Sequence, residues 1–521
     1  MTTISVGSPR HLPADSRRLV VGALGVVYIG AAIFCFAQCF LAEKFSEIQL
    51  NLACSAFSIY LYLESRRLIL SSDSLSALSP AVLSSFFVFF ASYTLQSSVM
   101  IFDEKFRMDY MFLFYDFYES FLYSIFICFG ACFVMWRGYY IGSKIASGLR
   151  NSLIQSQFIR KNLHPNMISI FFLQLIYIFG VLYSIKNGIF GFSANKIRIE
   201  ENVSAMEFLN LAIGAGTFAL FLLALSYFQL RKSGGKAAAM GAMTLVMAAV
   251  MVCVGAFSGF KSQLAVPFIV IAAAAFVVLK RIKYQYIIYG ILALIVAYSI
   301  IEPFRSYLGR NPNVQPDSVS EMVDVLQKSY GERDRYQRAE TPVLLSITSR
   351  LDVLGQTAVA IDYVDAGRLD PTIAEWMAEA IYLSPILAFL PRAFWPDKPS
   401  YSTGVWFNQH VRGSWYDSRT AVGMGPVAYL YLVGGLTGVL LGFFCIGILQ
   451  AVIFEGVGRA GPGGLIVYFS VAMPLALLPT DLGVVLTSLI RMLPIAFLAQ
   501  YFVLLPGRTR LSPTPPRQAP R

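Results

Sequence analysis

Long apolar runs separated by short polar segments dominate this chain. Twelve of the runs approach the roughly twenty residues that a helix needs to cross a bilayer. They cover approximately residues 19–42, 48–64, 77–101, 116–136, 166–185, 206–230, 238–258, 262–279, 284–301, 424–453, 462–480 and 483–505. Lipid offers the backbone no hydrogen-bond partner, and the runs lack the alternation of membrane barrel strands. The pattern predicts an all-α polytopic integral membrane protein with about 12 transmembrane helices.

Composition excludes the main alternatives to a membrane protein. Hydrophobic residues make up 56% of the 521 residues and charged residues only 14%, against about 25% charged residues in an ordinary soluble domain. A water-soluble enzyme of this length could not hide so much apolar surface, and 42 Phe and 28 Tyr exclude a disordered chain. The seven Cys all fall inside predicted spans, where they serve as packing residues rather than as a disulfide scaffold.

Basic residues are concentrated in alternate connections, which predicts the orientation. With the N-terminus inside, the inside segments hold 21 Lys and Arg, and the short outside loops hold seven. Both termini are therefore predicted to be cytoplasmic, and the net charge of +11 reflects this bias and attraction to anionic membrane lipid, not nucleic-acid binding. The predicted segments are a cytoplasmic N-terminus (1–18), helices one to nine (19–301), a large periplasmic loop (302–423), helices ten to twelve (424–505) and a cytoplasmic disordered tail (506–521).

The large outer loop carries its own helix signals. Asp317 or Ser318 with Glu321 resembles a capping box. Thr341 followed by Pro342 is predicted to start a second helix that Gly367 could end, and Asp370 followed by Pro371 starts a third. The stretch 376–395 is apolar but interrupted by charge and proline, which predicts an interfacial or re-entrant helix. The loop is expected to be an ordered helical lid or small domain.

The chemistry of the loop points to a phosphate and a sugar. Its twelve basic residues include ten Arg, whose planar fork suits phosphate oxygens. Five Trp or Tyr within 395–416 interleave with these cations, and aromatic faces either stack on sugar rings or anchor helices at the membrane interface. The alternative is a solvated loop whose acidic residues balance its basic ones.

One charge lies inside a predicted span. Arg491 is about 13 Å in from the outer end of the run 483–505. A charge at that depth costs about 2.5–3.5 kcal/mol on insertion scales, so a functional role in reaching an anionic group is favoured. An internal ion pair, or a clamp on backbone carbonyls that fixes helix packing, is the alternative.

Two stretches carry a family resemblance. LPRAFWPDKPSYSTGVWFNQH at 390–410 and MGPVAYLYLVGGLTGVLLGFF at 424–444 resemble the Wzy-type O-antigen and exopolysaccharide repeat-unit polymerases. The matching pieces are the LPRxxWPxKP element, Gly404, Phe407 and the small-residue/Tyr/Gly pattern that opens the next span. SRLD at 349–352 falls where these polymerases often carry an Arg, whereas SGFKSQL at 258–264 has Lys261 in place of the usual Arg.

The resemblance implies a GT-C-like membrane fold and metal-independent glycosyl transfer with no cofactor. A growing glycan would leave undecaprenyl diphosphate at the periplasmic face of the bacterial inner membrane and join the next lipid-linked oligosaccharide repeat unit. A flippase and a chain-length regulator are the protein partners implied. No metal site is expected, because His11, His164 and His410 lie in separate segments.

Departure of a diphosphate builds negative charge that preorganised cations can stabilise. The candidate diphosphate-binding residues are Arg350, Arg392, Arg419, Arg305, Lys398 and Arg491. A general base would take the proton of the attacking hydroxyl. The candidate bases are His410, Asp352, Asp397 and Glu375. The candidate sugar-stacking residues are Trp395, Trp406 and Trp415.

Two other functions remain open at this point. A transporter or export component for polysaccharide or its lipid-linked intermediates would also have many spans, although the late position of the large loop spoils the symmetry between halves that transporters tend to show. An O-antigen ligase-like transferase would share the Arg-rich outer loop, and the residues alone do not separate it from a polymerase.

Overall fold

The structure is a computed structural model that describes most of the chain. The described residues are 14–95, 117–156, 158–160, 166–191, 203–259, 261–279, 292, 301, 303–304, 307–308, 311, 314, 318–331, 353–390, 395, 403–417, 421–478 and 482–504. Within these ranges the elements are helical and there is no β-strand. The all-α prediction is confirmed for this part of the chain.

The first eight α-helices lie before the large loop. They are α1 (Ala14–Gln38), α2 (Phe45–Ser71), α3 (Pro80–Ser84, continued by π-helical turns over Ser85–Thr94), α4 (Phe117–Gln155), α5 (Met167–Lys186), α6 (Val203–Lys232), α7 (Ala238–Ser258) and α8 (Lys261–Leu279). Gly259, with a φ of 70°, ends α7 immediately before α8 begins, so a turn lies where the stretch 258–264 predicts one.

The remaining helices cover the loop and the C-terminal part. They are α9 (Val319–Gly331), α10 (Leu354–Asp365), α11 (Pro371–Tyr382), α12 (Ser384–Phe389), α13 (Thr403–Trp406, continued by a π-helical turn over Phe407–Val411), α14 (Gly425–Ala451, continued by π-helical turns over Val452–Gly458), α15 (Pro462–Leu477) and α16 (Leu482–Val503). The large loop is therefore helical where it is described.

Seven helices of the described part are long and apolar enough to cross a membrane, which is consistent with a multi-pass membrane protein. They are α1, α4, α5, α6, α7, α14 with its continuation, and α16. Three further predicted spans correspond to shorter apolar helices, namely 80–94, 263–279 and 462–477. The predicted span 48–64 lies within α2, a helix that is less apolar, and 284–301 falls almost wholly outside the described residues.

The register of α1, α2 and α4 follows from three contacts. Lys44, just before α2, lies over the Tyr118 ring near the start of α4, at 5.8 Å. Further along, the Glu64 carboxylate of α2 meets Arg137 of α4 at 3.3 Å, so these two helices run parallel. Arg17 at the start of α1 donates to Ser72 O after the end of α2 at 2.7 Å, so α1 runs antiparallel to α2.

Glycines allow α4 and α14 to pack backbone against backbone. A Cβ on Gly447 of α14 would stand 2.0 Å from Met135 O, and one on Gly138 of α4 would stand 2.2 Å from Phe444 O. Gly138 and Gly142 form a GxxxG pair, a pattern that lets membrane helices approach closely. The glycine-lined contact fixes α14 against the longest helix of the structure.

Helix α14 is broken at Gly434 and Gly435. Gly435 has φ 59° and ψ −152°, a conformation that is essentially restricted to glycine. Residues 430 and 438 would lie about 12 Å apart in a straight helix. Instead Leu430 O is 2.6 Å from where a Cβ on Gly438 would stand. The half-helix 425–433 therefore folds back beside 436–451, and the second half, with its continuation to 458, is still long enough to cross a membrane.

Helix α10 covers this folded-back half-helix. Residues 354–361 of α10 and 425–432 of α14 are all buried. The Tyr429 hydroxyl donates to Met377 O of α11 at 2.8 Å, and the Tyr431 hydroxyl donates to Asp365 Oδ1 at 2.7 Å. This buried half-helix is thus one of the places where the loop helices are fastened to the membrane-length helices.

The sequence signals for the loop helices are confirmed where they are described. The Ser318 hydroxyl accepts from Glu321 N at 3.2 Å at the start of α9. Gly367 follows α10 with a φ of 68°. Asp370 caps α11 by accepting from Thr372 N at 2.9 Å, and hydrogen bonds from Thr372 N–H and then from the Thr372 hydroxyl hold the pKa of this carboxyl below its usual value.

Candidate functional site

Six of the thirteen predicted site residues have a described position. They are Glu375, Trp395, Trp406, His410, Trp415 and Arg491. The others lie outside the described residues, and they are Arg305, Arg350, Asp352, Arg392, Asp397, Lys398 and Arg419. Three of the six described residues come together, and that group defines the candidate site.

The site is a row of four aromatic rings, called the aromatic ladder below and made of Tyr363, Trp406, His410 and Trp415. The Tyr363 and Trp406 rings meet edge to face with centroids 6.3 Å apart. The Trp406 and His410 rings are stacked at 5.8 Å with an interplanar angle of 22°. Trp415 meets His410 edge to face at 5.0 Å. Predicted sugar-stacking residues and a predicted base thus share one surface.

Local folding of residues 403–417 presents the ladder. Phe407 is fully buried and anchors the turn, while Trp406 and His410 lie one helical turn apart and emerge on the same side. The chain then reverses, because Ser414 N donates to Asn408 O at 3.0 Å and the buried Asn408 side chain donates to Asp417 Oδ2 at 3.3 Å. That reversal brings Trp415, which is 61% exposed, back to the His410 ring.

Sequence reasoning missed the part of the site that comes from α10. Tyr363, near the end of α10, supplies the first ring of the ladder. Arg368 forms an ion pair with Asp362 and lies over the Tyr363 ring at 5.3 Å. Both charged side chains are about half exposed. The sequence offered one signal for this part of the site, the predicted helix end at Gly367. After Gly367 the chain turns back, and Arg368 N donates to Tyr363 O of the last helical turn.

The other described candidates lie on separate elements. Glu375 is exposed on α11, a helix that packs against α14 and α16 through its opposite side. Trp395 is 36% exposed between stretches that lie outside the described residues. The structure therefore groups Trp406, His410 and Trp415, and it places Glu375 on a different helix.

Arg491 lies against the C-terminal end of α12. Its Nε donates to Ala388 O at 2.9 Å, and one terminal nitrogen approaches Leu387 O at 3.4 Å. The last carbonyls of a helix have no partner within the helix, so this guanidinium satisfies two of them. Arg491 stands about 13 Å beyond the first residue of α16, and α12 therefore reaches that depth beside α16. These two contacts fit the carbonyl clamp that the sequence analysis gave as an alternative to a functional role.

We expect Arg491→Leu to lower the free energy of unfolding by about 1–3 kcal/mol, because two carbonyls lose their donor inside a partly buried contact. Thermal unfolding of the purified protein in detergent, followed by intrinsic fluorescence, measures this. Arg491→Lys keeps one donor and should lose less. An Arg491→Leu protein with unchanged unfolding would contradict the clamp.

The ladder has the chemistry of a sugar-binding surface. Flat aromatic faces take the apolar faces of sugar rings, and the Arg368–Asp362 pair beside Tyr363 offers donors and acceptors to hydroxyl groups. His410 carries the only imidazole in the row, and its ring nitrogens can form a hydrogen bond with a hydroxyl held against Trp406 or Trp415. Among the described residues, no three His, Cys, Asp or Glu side chains form a group that could hold a metal ion.

Comparison with known proteins gives one match. The family model described as Domain of unknown function (DUF8712) matches residues 145–459. No curated protein and no solved structure matches this chain. The matched residues include α10, the aromatic ladder and α14. Since the match covers more than half of the chain, this protein belongs to the family of the domain of unknown function DUF8712.

Proposed function

We propose that this protein polymerises undecaprenyl-diphosphate-linked oligosaccharide repeat units into exopolysaccharide or O-antigen at the periplasmic face of the bacterial inner membrane. The observation that carries the proposal is the aromatic ladder, which stands on helices packed against membrane-length helices. A row of three or more rings suits a chain of sugars better than a single small molecule. The resemblance of 390–410 and 424–444 to the Wzy-type polymerases covers part of the same region.

The proposed reaction is glycosyl transfer without a metal ion. The bond between the anomeric carbon and the diphosphate oxygen breaks, and a bond to a hydroxyl of the next repeat unit forms. His410, in the ladder, is the described residue best placed to take the hydroxyl proton. The leaving undecaprenyl diphosphate would be stabilised by cationic side chains, for which Arg350, Arg392 and Arg419 are the main candidates, followed by Arg305 and Lys398.

The topology that goes with this proposal has about 12 spans, a GT-C-like arrangement and both termini in the cytoplasm. The basic residues of the inside segments support that orientation. The half-helix 425–433 and α12 would then lie on the periplasmic side, together with the ladder. A flippase would deliver the lipid-linked units, and a chain-length regulator would set the product size.

A reconstitution assay tests the proposal. Purified protein in vesicles, supplied with lipid-linked repeat units, should convert them into products that run as a ladder of increasing length on a gel. Transfer of a finished glycan to another acceptor, without chain growth, would instead indicate a ligase. Units that remain unchanged in length while crossing the vesicle membrane would contradict the polymerase.

One observation favours the second candidate, a transporter or export component. The break at Gly434 and Gly435 makes α14 discontinuous, and discontinuous helices often form the substrate sites of transporters. If this protein is the transporter, deletion of its gene should leave intact lipid-linked units on the cytoplasmic side of the membrane. If it is the polymerase, the deletion should leave exported single units that are not joined.

A further inference from the structure

A second cluster of charged and aromatic residues joins the C-terminal part of α2 to the middle of α4. Its members are Glu64 and Arg67 of α2 and Arg137 and Tyr140 of α4. Arg137 approaches Glu64 Oε1 at 3.3 Å, and the Tyr140 hydroxyl donates to Glu64 Oε2 at 2.7 Å. The Arg67 guanidinium lies over the Tyr140 ring at 5.3 Å. One guanidinium thus pairs with the carboxylate, and the other lies over the tyrosine ring whose hydroxyl donates to the same carboxylate.

The depth of this cluster corresponds to a membrane surface. Along α4, Arg137 lies 19 residues after Tyr118, which contacts Lys44, and along α2 Glu64 lies 20 residues after Lys44. At 1.5 Å per residue both intervals are about 30 Å, the thickness of a bilayer's hydrocarbon core. If Lys44 and Tyr118 mark one surface, Arg67 and Arg137 therefore lie at the headgroup level of the other.

The surface between these two levels is apolar and exposed. On α2, Ile59 and Leu63 are 40% and 49% exposed, and they precede Arg67 on the same stripe of the helix. On α4, Phe126 and Phe133 are 59% and 41% exposed, and they precede Arg137 in the same way. An exposed apolar surface that ends in cations matches a lipid molecule whose acyl chains lie along these side chains and whose headgroup lies at the arginines.

The net positive charge of the cluster favours a lipid with an anionic headgroup. Two guanidinium groups and one carboxylate leave a net charge of +1. The hydrogen bond to Glu64 uses one of the five N–H donors of Arg137, whose side chain is 43% exposed, while Glu64 is 8% exposed. A phosphodiester that carries one negative charge would neutralise the cluster, and arginine forks suit its oxygens.

We propose that Arg67 and Arg137, held by Glu64 and Tyr140, bind the phosphodiester of an anionic phospholipid whose acyl chains lie along the exposed residues of α2 and α4. The site is separate from the aromatic ladder, and it does not depend on the proposed polymerase activity. It would hold α2 against α4 on the lipid-facing side, where these two helices carry their cations.

The test measures lipid binding to the full-length protein in detergent by native mass spectrometry. Phosphatidylglycerol is compared with phosphatidylcholine of the same acyl chains, and inorganic phosphate is added as a competitor in a separate arm. Arg67→Gln is the main variant, because Arg137→Gln would leave the buried Glu64 carboxylate without its cationic partner. Arg231→Gln is the matched control, since Arg231 is an exposed arginine near a helix end that hydrogen-bonds the Tyr227 hydroxyl.

We expect the wild type to retain phosphatidylglycerol in preference to phosphatidylcholine. Arg67→Gln should weaken phosphatidylglycerol binding about fivefold, the effect of removing one cation near a membrane surface, while Arg231→Gln should not. Equal binding of the two lipids, or an Arg67→Gln protein that binds phosphatidylglycerol like the wild type, would overturn the proposal. Displacement of the lipid by millimolar inorganic phosphate would also overturn it, because the site would then recognise a free anion.

Discussion

Replacing Gly447 by alanine is expected to lower the free energy of unfolding by about 3 kcal/mol or more. The new Cβ would stand 2.0 Å from Met135 O and 2.9 Å from Tyr139 N, and both atoms belong to the backbone of α4. Neither can turn aside as a side chain could, so the two helices must separate by about 1 Å. Separation of the two helices at Gly447 also weakens the contacts that Gly138 and Gly142 make with α14.

Gly148→Ala is the matched control for Gly447→Ala. Gly148 is also a glycine in α4, but nothing lies within 4 Å of where its Cβ would stand. Alanine there should be neutral or slightly stabilising, because it favours helix by about 1 kcal/mol over glycine. Both variants are compared by thermal unfolding in the same detergent. A Gly447→Ala protein as stable as Gly148→Ala would show that α4 and α14 are not packed as described.

The helical character and the apolar lengths could be predicted from the sequence, whereas the path of α14 could not. Hydropathy registers only how apolar a stretch is, and 424–453 is apolar throughout. Gly434 and Gly435 do not interrupt that run, because glycine is common in membrane helices. The fold-back depends on backbone angles at Gly435 and on the burial of 425–432 under α10. The hydropathy of the stretch 424–453 contains no information on these backbone angles or on this burial.

The candidate site was predictable only as far as it is local. Trp406 and His410 are four residues apart, so any helix there brings their rings together. Trp415 joins them only through the turn that Asn408 stabilises, and Tyr363 comes from a helix some forty residues earlier. Arg491 was recognised as an unusual charge, but it contacts two backbone carbonyls of α12, and carbonyls leave no signal in a sequence.

Trp406→Ala is expected to lower the proposed activity strongly. Trp406 is one of the two inner rings of the aromatic ladder, and it contacts both Tyr363 and His410. Its loss removes a sugar-stacking face worth about 1–1.5 kcal/mol and the surface that orients His410. We expect kcat/KM for chain growth to fall about tenfold or more. Initial rates of the reconstituted reaction, with products sized on a gel, measure this.

Two further variants decide whether stacking is the cause. Trp406→Phe keeps an aromatic face at the same position and should recover most of the activity. Tyr416→Ala removes a neighbouring aromatic residue whose side chain is fully exposed, and it should leave chain growth unchanged. If Trp406→Ala polymerises like the wild type, or if Tyr416→Ala is equally impaired, the ladder does not hold the glycan. The proposed polymerase would then lose the observation that supports it, because the remaining candidate residues lie on other elements or outside the described residues.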